Sequence, residues 1–160
     1  MAVTREGVIG NNGLLPWCYE AELDHFRKMT EGHIIVMGRK TFDTIPKSIF
    51  INRQAIVFSK NNNFNPMQAQ LVNSIESFLE IIPKYFTPNI NRNEIKKIFM
   101  IGGAQIANLF LDLGLIKSFI LTEIHRNYSG DIYLEMNKLE GWKREEILKT
   151  ESYTIVKLGI

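Results

Sequence analysis

Short apolar runs rich in β-branched residues alternate with segments of helical periodicity along most of this 160-residue chain. A strand followed by a helix, repeated, favours an α/β fold with a mostly parallel sheet covered on both faces. The last two strands follow each other almost without a break, which predicts an antiparallel C-terminal pair at one edge. The predicted strands are His33–Met37, Gln54–Phe58, Gln70–Val72, Lys97–Ile101, Ile116–Ile124, Trp142–Thr150 and Ser152–Leu158. The predicted helices are Glu20–Thr30, Arg39–Thr44, Ser74–Ile82 and Gly103–Leu113.

Two polar segments interrupt this alternation and predict irregular surface connections. Lys60–Met67 is rich in asparagine, and Pro83–Asn93 combines prolines with asparagines. Neither flank of either segment could form a core alone. Both are therefore interpreted as loops within a single domain that spans residues 1–160.

Charge and cysteine content exclude several kinds of partner. The chain has 19 Lys and Arg against 17 Asp and Glu, which gives no reason to expect binding to nucleic acid or an anionic membrane. Its one cysteine, Cys18, cannot form an internal disulfide, and His33 and His125 lack metal-ligand spacing, so no metal is expected. Neither an apolar run of about 20 residues nor a signal peptide is evident, so a cytoplasmic protein is expected.

The most informative segment is Val8–Trp17, VIGNNGLLPW, whose two glycines and proline predict a shaped loop rather than a strand or helix. Glu22 follows in the first turn of the next predicted helix. Phe26 comes four residues later and therefore lies on the same helical face. That face would present a carboxylate and an aromatic ring. Alternatively, Glu22 only complements the helix dipole, as acidic residues in a first turn commonly do.

Two further segments pass from an apolar strand through glycine into a helix. In Ile35–Thr44, Arg39 and Lys40 open the helix, where backbone N–H groups and basic side chains would suit a phosphate. The alternative there is a solvated basic turn. In Ile98–Gln105 the double glycine permits close approach of a ligand to the backbone, or an unusual peptide geometry.

In this order, the three segments resemble the dihydrofolate reductase family. The matching pattern is Ile-Gly, then Leu-Pro-Trp, an acidic residue on the following helix, Met-Gly-Arg-x-Thr-Phe and a late Gly-Gly. The resemblance extends from about residue 2 to about residue 158. It implies a single domain with a sheet of about eight strands and about four helices. Further matches are Arg53, Ser59, Thr122 and the pair Gly130-Asp131.

The resemblance implies a monomeric enzyme that transfers hydride from NADPH to carbon 6 of dihydrofolate, a small-molecule substrate. Glu22 would bind the 2-amino group and nitrogen 3 of the pterin, and would favour protonation of nitrogen 5 through water that Trp17 helps to hold. The remaining implied substrate contacts are Phe26 and Ile101 on the rings, Thr122 on Glu22 or the substrate edge, and Arg53 on the glutamate carboxylate.

The resemblance also implies a cofactor site that includes a mobile loop, Ile9 to Leu15, over the nicotinamide. The Gly102–Gly103 peptide bond is expected to be cis. The positions implied to contact NADPH are Ala2, Ile9, Gly10, Gly13, Leu14, Leu15, Gly38, Arg39, Lys40, Thr41, Ser59, Lys60, Gly102, Gly103, Ala104, Gln105 and Ile106.

Several departures from the family pattern concern NADPH binding more than the fold. Only eight residues precede Ile9, fewer than the family usually carries, so a shortened first strand is expected. Gln105 replaces a frequent arginine, and Ala107 replaces a frequent aromatic residue. Tyr133-Leu-Glu stands where Phe-Pro is expected.

Two alternatives to this function stay open at this point. One is a riboflavin-pathway pyrimidine reductase, which resembles the family at the Gly-Gly segment. The Leu-Pro-Trp motif, Glu22 and Arg53 argue against it. The other is a binding protein that kept the fold and lost the chemistry, which the short first strand and Gln105 would suit.

Overall fold

The structure, a computed structural model, describes residues 1–86 and 96–160. The strands are β1 (Ala2–Thr4), β2 (Val8–Gly10), β3 (Ile34–Gly38), β4 (Gln54–Phe58), β5 (Gln70–Val72), β6 (Ile98–Gly102), β7 (Ser118–Ile124), β8 (Ile132–Tyr133), β9 (Lys143–Lys149) and β10 (Tyr153–Gly159). The α-helices are α1 (Glu20–Thr30), α2 (Arg39–Thr44), α3 (Ile75–Ile81) and α4 (Ala104–Asp112). Short 3₁₀ helices cover Lys47–Phe50, Ile82–Phe86 and Met136–Leu139.

The predicted α/β class and the four helices are confirmed. The bounds of α1, α2, β4 and β5 coincide with the prediction, and those of the other predicted elements differ by one or two residues. The prediction was wrong in treating all of Val8–Trp17 as loop, because its first three residues form β2. The predicted loop Pro83–Asn93 begins as a 3₁₀ helix, and its part beyond Phe86 lies outside the described residues.

The chain divides into two compact units, of which the first contains residues 1–23 and 102–160. Its larger sheet has the order β1-β7-β10-β9, with β1 parallel to β7 and the other pairs antiparallel. The predicted C-terminal pair is therefore confirmed, with β9 at the edge. A second sheet pairs β2 with β8 in antiparallel orientation. The core of this unit includes Val8, Trp17, Ile124, Tyr153 and Ile155.

The second unit contains residues 24–101, and its sheet has the order β5-β4-β3-β6. β3, β4 and β5 are parallel, as predicted. Four consecutive aliphatic residues of β3, Ile34–Met37, are fully buried, which is typical of a strand covered on both faces. The helix α3 begins with a reciprocal cap in which Ser74 and Ser77 each accept the other's backbone N–H at 3.2 Å.

No helix among residues 1–86 and 96–160 is long and apolar enough to cross a membrane.

Candidate active site

Glu22 is a buried carboxylate in the first unit, and its side chain lies against β7. Only 9% of the residue is exposed. Its Oε1 accepts a hydrogen bond from the buried Thr122 hydroxyl at 3.1 Å, and its backbone N–H donates to the carbonyl of Tyr19 at 3.1 Å. Burying a carboxylate is costly without polar partners. A charge that served only the helix dipole would gain nothing from burial, so this placement favours a binding role.

The first two residues of the chain lie next to the part of β7 that contains Thr122. Ala2 is the register partner of Thr122 in the parallel β1–β7 ladder. The Met1 α-ammonium donates to the carbonyl of Ile120 at 2.6 Å. Burial lowers the pKa of the Met1 ammonium to about 6, and attraction to Glu22 acts in the opposite direction. The surroundings of Glu22 therefore contain a second titratable group.

Trp17 is almost fully enclosed but retains an unused hydrogen-bond donor. The residue is 7% exposed, and its indole Nε1 has no hydrogen-bond partner among the described residues. A buried donor without a partner costs about 1–3 kcal/mol, so its retention requires an explanation. A donor of this kind suits a bound molecule or an ordered water.

A tight turn follows β2 and displays two leucines. Asn11 and Leu14 exchange two backbone hydrogen bonds of 2.8 and 3.0 Å around Gly13, whose φ of +80° suits glycine. Leu14 and Leu15 are largely exposed, at 66% and 49%. An apolar pair held out on a closed turn is suited to covering a bound ligand.

Asp131 anchors that turn, a role that sequence reasoning missed. Its backbone N–H donates to the carbonyl of Gly10 at 3.1 Å, and its Oδ1 accepts from the backbone N–H of Asn12 at 3.0 Å. The preceding residue must be glycine, because a Cβ at Gly130 would lie closer than 3.0 Å to that same carbonyl oxygen and to Val8. The Gly130-Asp131 pair was recognisable in the sequence as a family match, but the sequence did not show that Asp131 bonds to Gly10 and Asn12.

The N-terminus of α4 provides backbone donors directly after the double glycine. The Gly102–Gly103 peptide bond is cis, as expected. Gly103 is the N-cap and contributes no side-chain hydrogen bond, so Ala104, Gln105 and Ile106 present the first N–H groups of the helix. These donors and the helix dipole favour a negatively charged group.

In the second unit, the basic residues follow two neighbouring parallel strands. Gly38 and Phe58 are register partners at the carboxyl ends of β3 and β4. The predicted cofactor residues Arg39–Thr41 and Ser59–Lys60 therefore emerge at the same edge of the sheet. Arg39 and Lys60 are exposed, and the Arg39 guanidinium lies 6.0 Å from the ring centroid of Phe64.

Arg53 is more engaged with the protein than the sequence suggested. Its guanidinium donates to Thr30 Oγ1 at 2.9 Å, to the carbonyls of Ile49 and Ile51 at 3.0 Å each, and to that of Arg27 at 2.5 Å. Burial lowers the pKa of Arg53 from its ordinary value. Because a guanidinium has five N–H donors, one remains for another partner. Arg53 also lines an open cavity of about 320 Å³.

The two predicted ring contacts, Phe26 and Ile101, share one environment in the second unit. Both are half-buried and pack against the core cluster that includes Ile35 and Met37. Their exposed portions leave apolar surface available to a ligand. Among residues 1–86 and 96–160, no group of three or more His, Cys, Asp or Glu side chains could hold a metal ion.

A comparison with protein-family models matches residues 1–155 to the model described as dihydrofolate reductase. The chain belongs to the dihydrofolate reductase family. It is 31% identical to the dihydrofolate reductase of Mycoplasma genitalium, over 96% of this chain and 91% of that protein. The enzyme of Staphylococcus haemolyticus is 26% identical over 93% of this chain and 82% of that protein.

The fold agrees with a solved structure of the same family. Dihydrofolate reductase from Enterococcus faecalis, complexed with NADP(H) and RAB-propyl, matches with a TM-score of 0.75. The match covers 99% of this chain and 92% of that chain at 20% sequence identity. The fold expected from the resemblance is therefore confirmed.

Proposed function

We propose that this protein reduces 7,8-dihydrofolate to 5,6,7,8-tetrahydrofolate with NADPH, by hydride transfer to carbon 6 and protonation of nitrogen 5. The observation that carries the proposal is the buried Glu22 carboxylate, hydrogen-bonded to Thr122, in a member of this family. When bound, NADPH supplies the hydride. The residues of the chain bind and orient the substrate, exclude water and govern the proton.

Glu22 binds the donor edge of the pterin. A carboxylate pairs in bidentate fashion with the 2-amino group and the N–H at nitrogen 3. Thr122 donates to one of the carboxylate oxygens and so fixes the orientation of the carboxylate. A negative charge held at this edge makes the ring more basic, which favours protonation of nitrogen 5.

Trp17 and the turn after β2 control water. The free Nε1 of Trp17 donates to a water that delivers the proton to nitrogen 5. The exposed Leu14 and Leu15 close over the nicotinamide and keep other water away from the hydride. Asp131 holds the base of this turn.

The remaining substrate contacts come from the second unit. Phe26 and Ile101 pack against the rings of the substrate with their exposed apolar surface. Arg53 binds the glutamate carboxylate with its one uncommitted N–H and its charge. Its four bonds to the protein hold the guanidinium rigid, which lowers the entropic cost of binding.

The residues present fit NADPH. The bare N-terminus of α4 offers backbone N–H groups to the pyrophosphate, next to a glycine pair without side chains. Arg39, Lys40 and Lys60 provide positive charge for the 2′-phosphate. Gln105, in the first turn of α4, adds no charge to this site, so the backbone N–H groups are the donors that α4 offers to the phosphate.

The enzyme acts as a cytoplasmic monomer formed by a single domain. The net charge of +2 supports the absence of nucleic-acid and membrane partners.

Oxidation of NADPH with dihydrofolate as the only acceptor tests the proposal. The proposal predicts loss of NADPH absorbance that requires dihydrofolate and stops when it is consumed. Absence of oxidation, with both ligands shown to bind, would instead identify a binding protein that lost the chemistry. Oxidation with a riboflavin-pathway pyrimidine and not with dihydrofolate would identify the other reductase.

A further inference from the structure

The segment after β7 places the ring of Tyr128 against Trp17. The two ring centroids are 5.4 Å apart and the planes are tilted by 59°. The guanidinium of Arg126 lies 5.5 Å from the Tyr128 centroid. A tilted aromatic pair at this distance is attractive and favours one relative orientation. Tyr128 therefore restricts the orientation of the indole whose Nε1 is unpaired.

The hydroxyl of Tyr128 contacts a second residue near Glu22. It lies 3.1 Å from the hydroxyl of Tyr19, and this hydrogen bond raises the pKa of Tyr19. The backbone carbonyl of Tyr19 in turn accepts the N–H groups of Glu22 and Leu23, each at 3.1 Å. Tyr19 thus begins the helical turn that carries Glu22. Its side chain is held by the hydrogen bond from hydroxyl to hydroxyl with Tyr128 and by the ring of Tyr153, whose centroid lies 5.7 Å from that of Tyr19.

We propose that Tyr128 is a positioning residue for the reduction, because its ring orients Trp17 and its hydroxyl, through Tyr19, fixes the turn that presents Glu22. The inference rests on the proposed function. Neither Tyr19 nor Tyr128 belongs to the motifs that carry the family resemblance. The two contacts make one residue responsible for both groups that govern the proton at nitrogen 5.

The hydroxyl pair is tested by single-turnover hydride transfer in Tyr128→Phe, Tyr19→Phe and the double variant. Each single variant is expected to slow transfer about three- to tenfold, and the double variant no more than either single one, since both remove the same bond. The KM for NADPH should not change. Tyr85→Phe, a half-buried tyrosine of the second unit, is the matched control and should transfer hydride at the wild-type rate.

The ring contact is tested with Tyr128→Leu. This variant should be slower than Tyr128→Phe, because it loses the ring contact as well as the hydroxyl. In a Trp17→Phe background the Tyr128→Leu and Tyr128→Phe variants should differ less than twofold, since the indole that the ring orients is absent. Wild-type rates in the single variants would overturn the proposal. So would effects that multiply in the double variant, or a lower melting temperature with unchanged hydride transfer.

A measurement independent of activity separates this inference from the proposed function. The chain has two tryptophans, so a Trp142→Phe variant reports the fluorescence of Trp17 alone. Tyr128→Leu in that background should lower the anisotropy and shift the emission of Trp17. Unchanged fluorescence would refute the positioning role. If the wild-type protein oxidises no NADPH with dihydrofolate, but Tyr128→Leu still changes the fluorescence of Trp17, only the proposed function is refuted.

Discussion

Replacing Gly130 with alanine tests how the turn after β2 is anchored. The backbone of Gly130 does not have a positive φ, so alanine is penalised by space rather than by conformation. The added Cβ would lie closer than 3.0 Å to Val8 Cγ1 and to the carbonyl oxygen of Gly10. Neither neighbour can move away easily, because one is the backbone of Gly10 and the other is the buried side chain of Val8.

The expected loss combines two effects. Overpacking of a filled site costs about 1–3 kcal/mol. Displacing Gly10 also breaks the 3.1 Å bond from the backbone N–H of Asp131, which is worth about 1 kcal/mol. The sum of roughly 2–4 kcal/mol corresponds to a fall in melting temperature of about 4–16 °C for a protein of this size.

Thermal unfolding followed by circular dichroism measures this loss, with exposed Ser129→Ala as the matched control. The control should unfold within about 1 °C of the wild type, because surface substitutions have small effects. The Gly130→Ala variant should also transfer hydride more slowly, because the proposed function requires the undisplaced turn to cover the nicotinamide. A melting temperature equal to that of the control would show that the close approach of Gly130 to Gly10 is not a constraint.

Two further predictions concern the second unit. NADPH should be preferred over NADH, and equal KM values for the two cofactors in the wild type would contradict the assignment of Arg39, Lys40 and Lys60 to the 2′-phosphate. Arg39→Ala should raise the KM for NADPH roughly five- to tenfold and leave that for NADH unchanged, since the variant loses the proposed charge-assisted contact with this phosphate. Arg53→Ala should raise the KM for dihydrofolate but not that for NADPH, and should lower the free energy of unfolding by roughly 2–4 kcal/mol because four hydrogen bonds are lost. A variant that is less stable but has a normal KM for dihydrofolate would assign Arg53 a structural role alone.

Elements with their own periodicity or a long apolar run could be predicted from the sequence. α1 carries a regular apolar stripe, and β4 ends in the apolar run Ile56-Val57-Phe58, so the bounds of both were predicted correctly. β1, β2 and β8 have two or three residues each and show no alternation. Such strands exist because a distant strand pairs with them, and local sequence does not encode that partner.

The same limit applies to the candidate site. Family motifs identified Glu22, Thr122 and Arg53 as residue types, but the contacts that define them cross large sequence separations. The hydrogen bond between Glu22 and Thr122 joins residues one hundred positions apart. The commitment of Arg53 to backbone carbonyls and the anchoring of the turn by Asp131 likewise depend on tertiary packing, which periodicity and motif spacing do not report.

The central claim is that the carboxylate of Glu22 governs protonation of dihydrofolate, and Glu22→Gln tests it most directly. Glutamine keeps the shape and can still bond to Thr122, so the protein should fold normally. The rate of single-turnover hydride transfer should fall about 10²–10⁴-fold at neutral pH, and this deficit should shrink in acid, where solution supplies protons. Glu20→Gln on the same helical turn is the matched control and should keep the wild-type rate across the pH range. Hydride transfer at the wild-type rate throughout, accompanied only by a stability loss of roughly 0.3–1 kcal/mol, would show that Glu22 merely complements the helix dipole and would contradict the account.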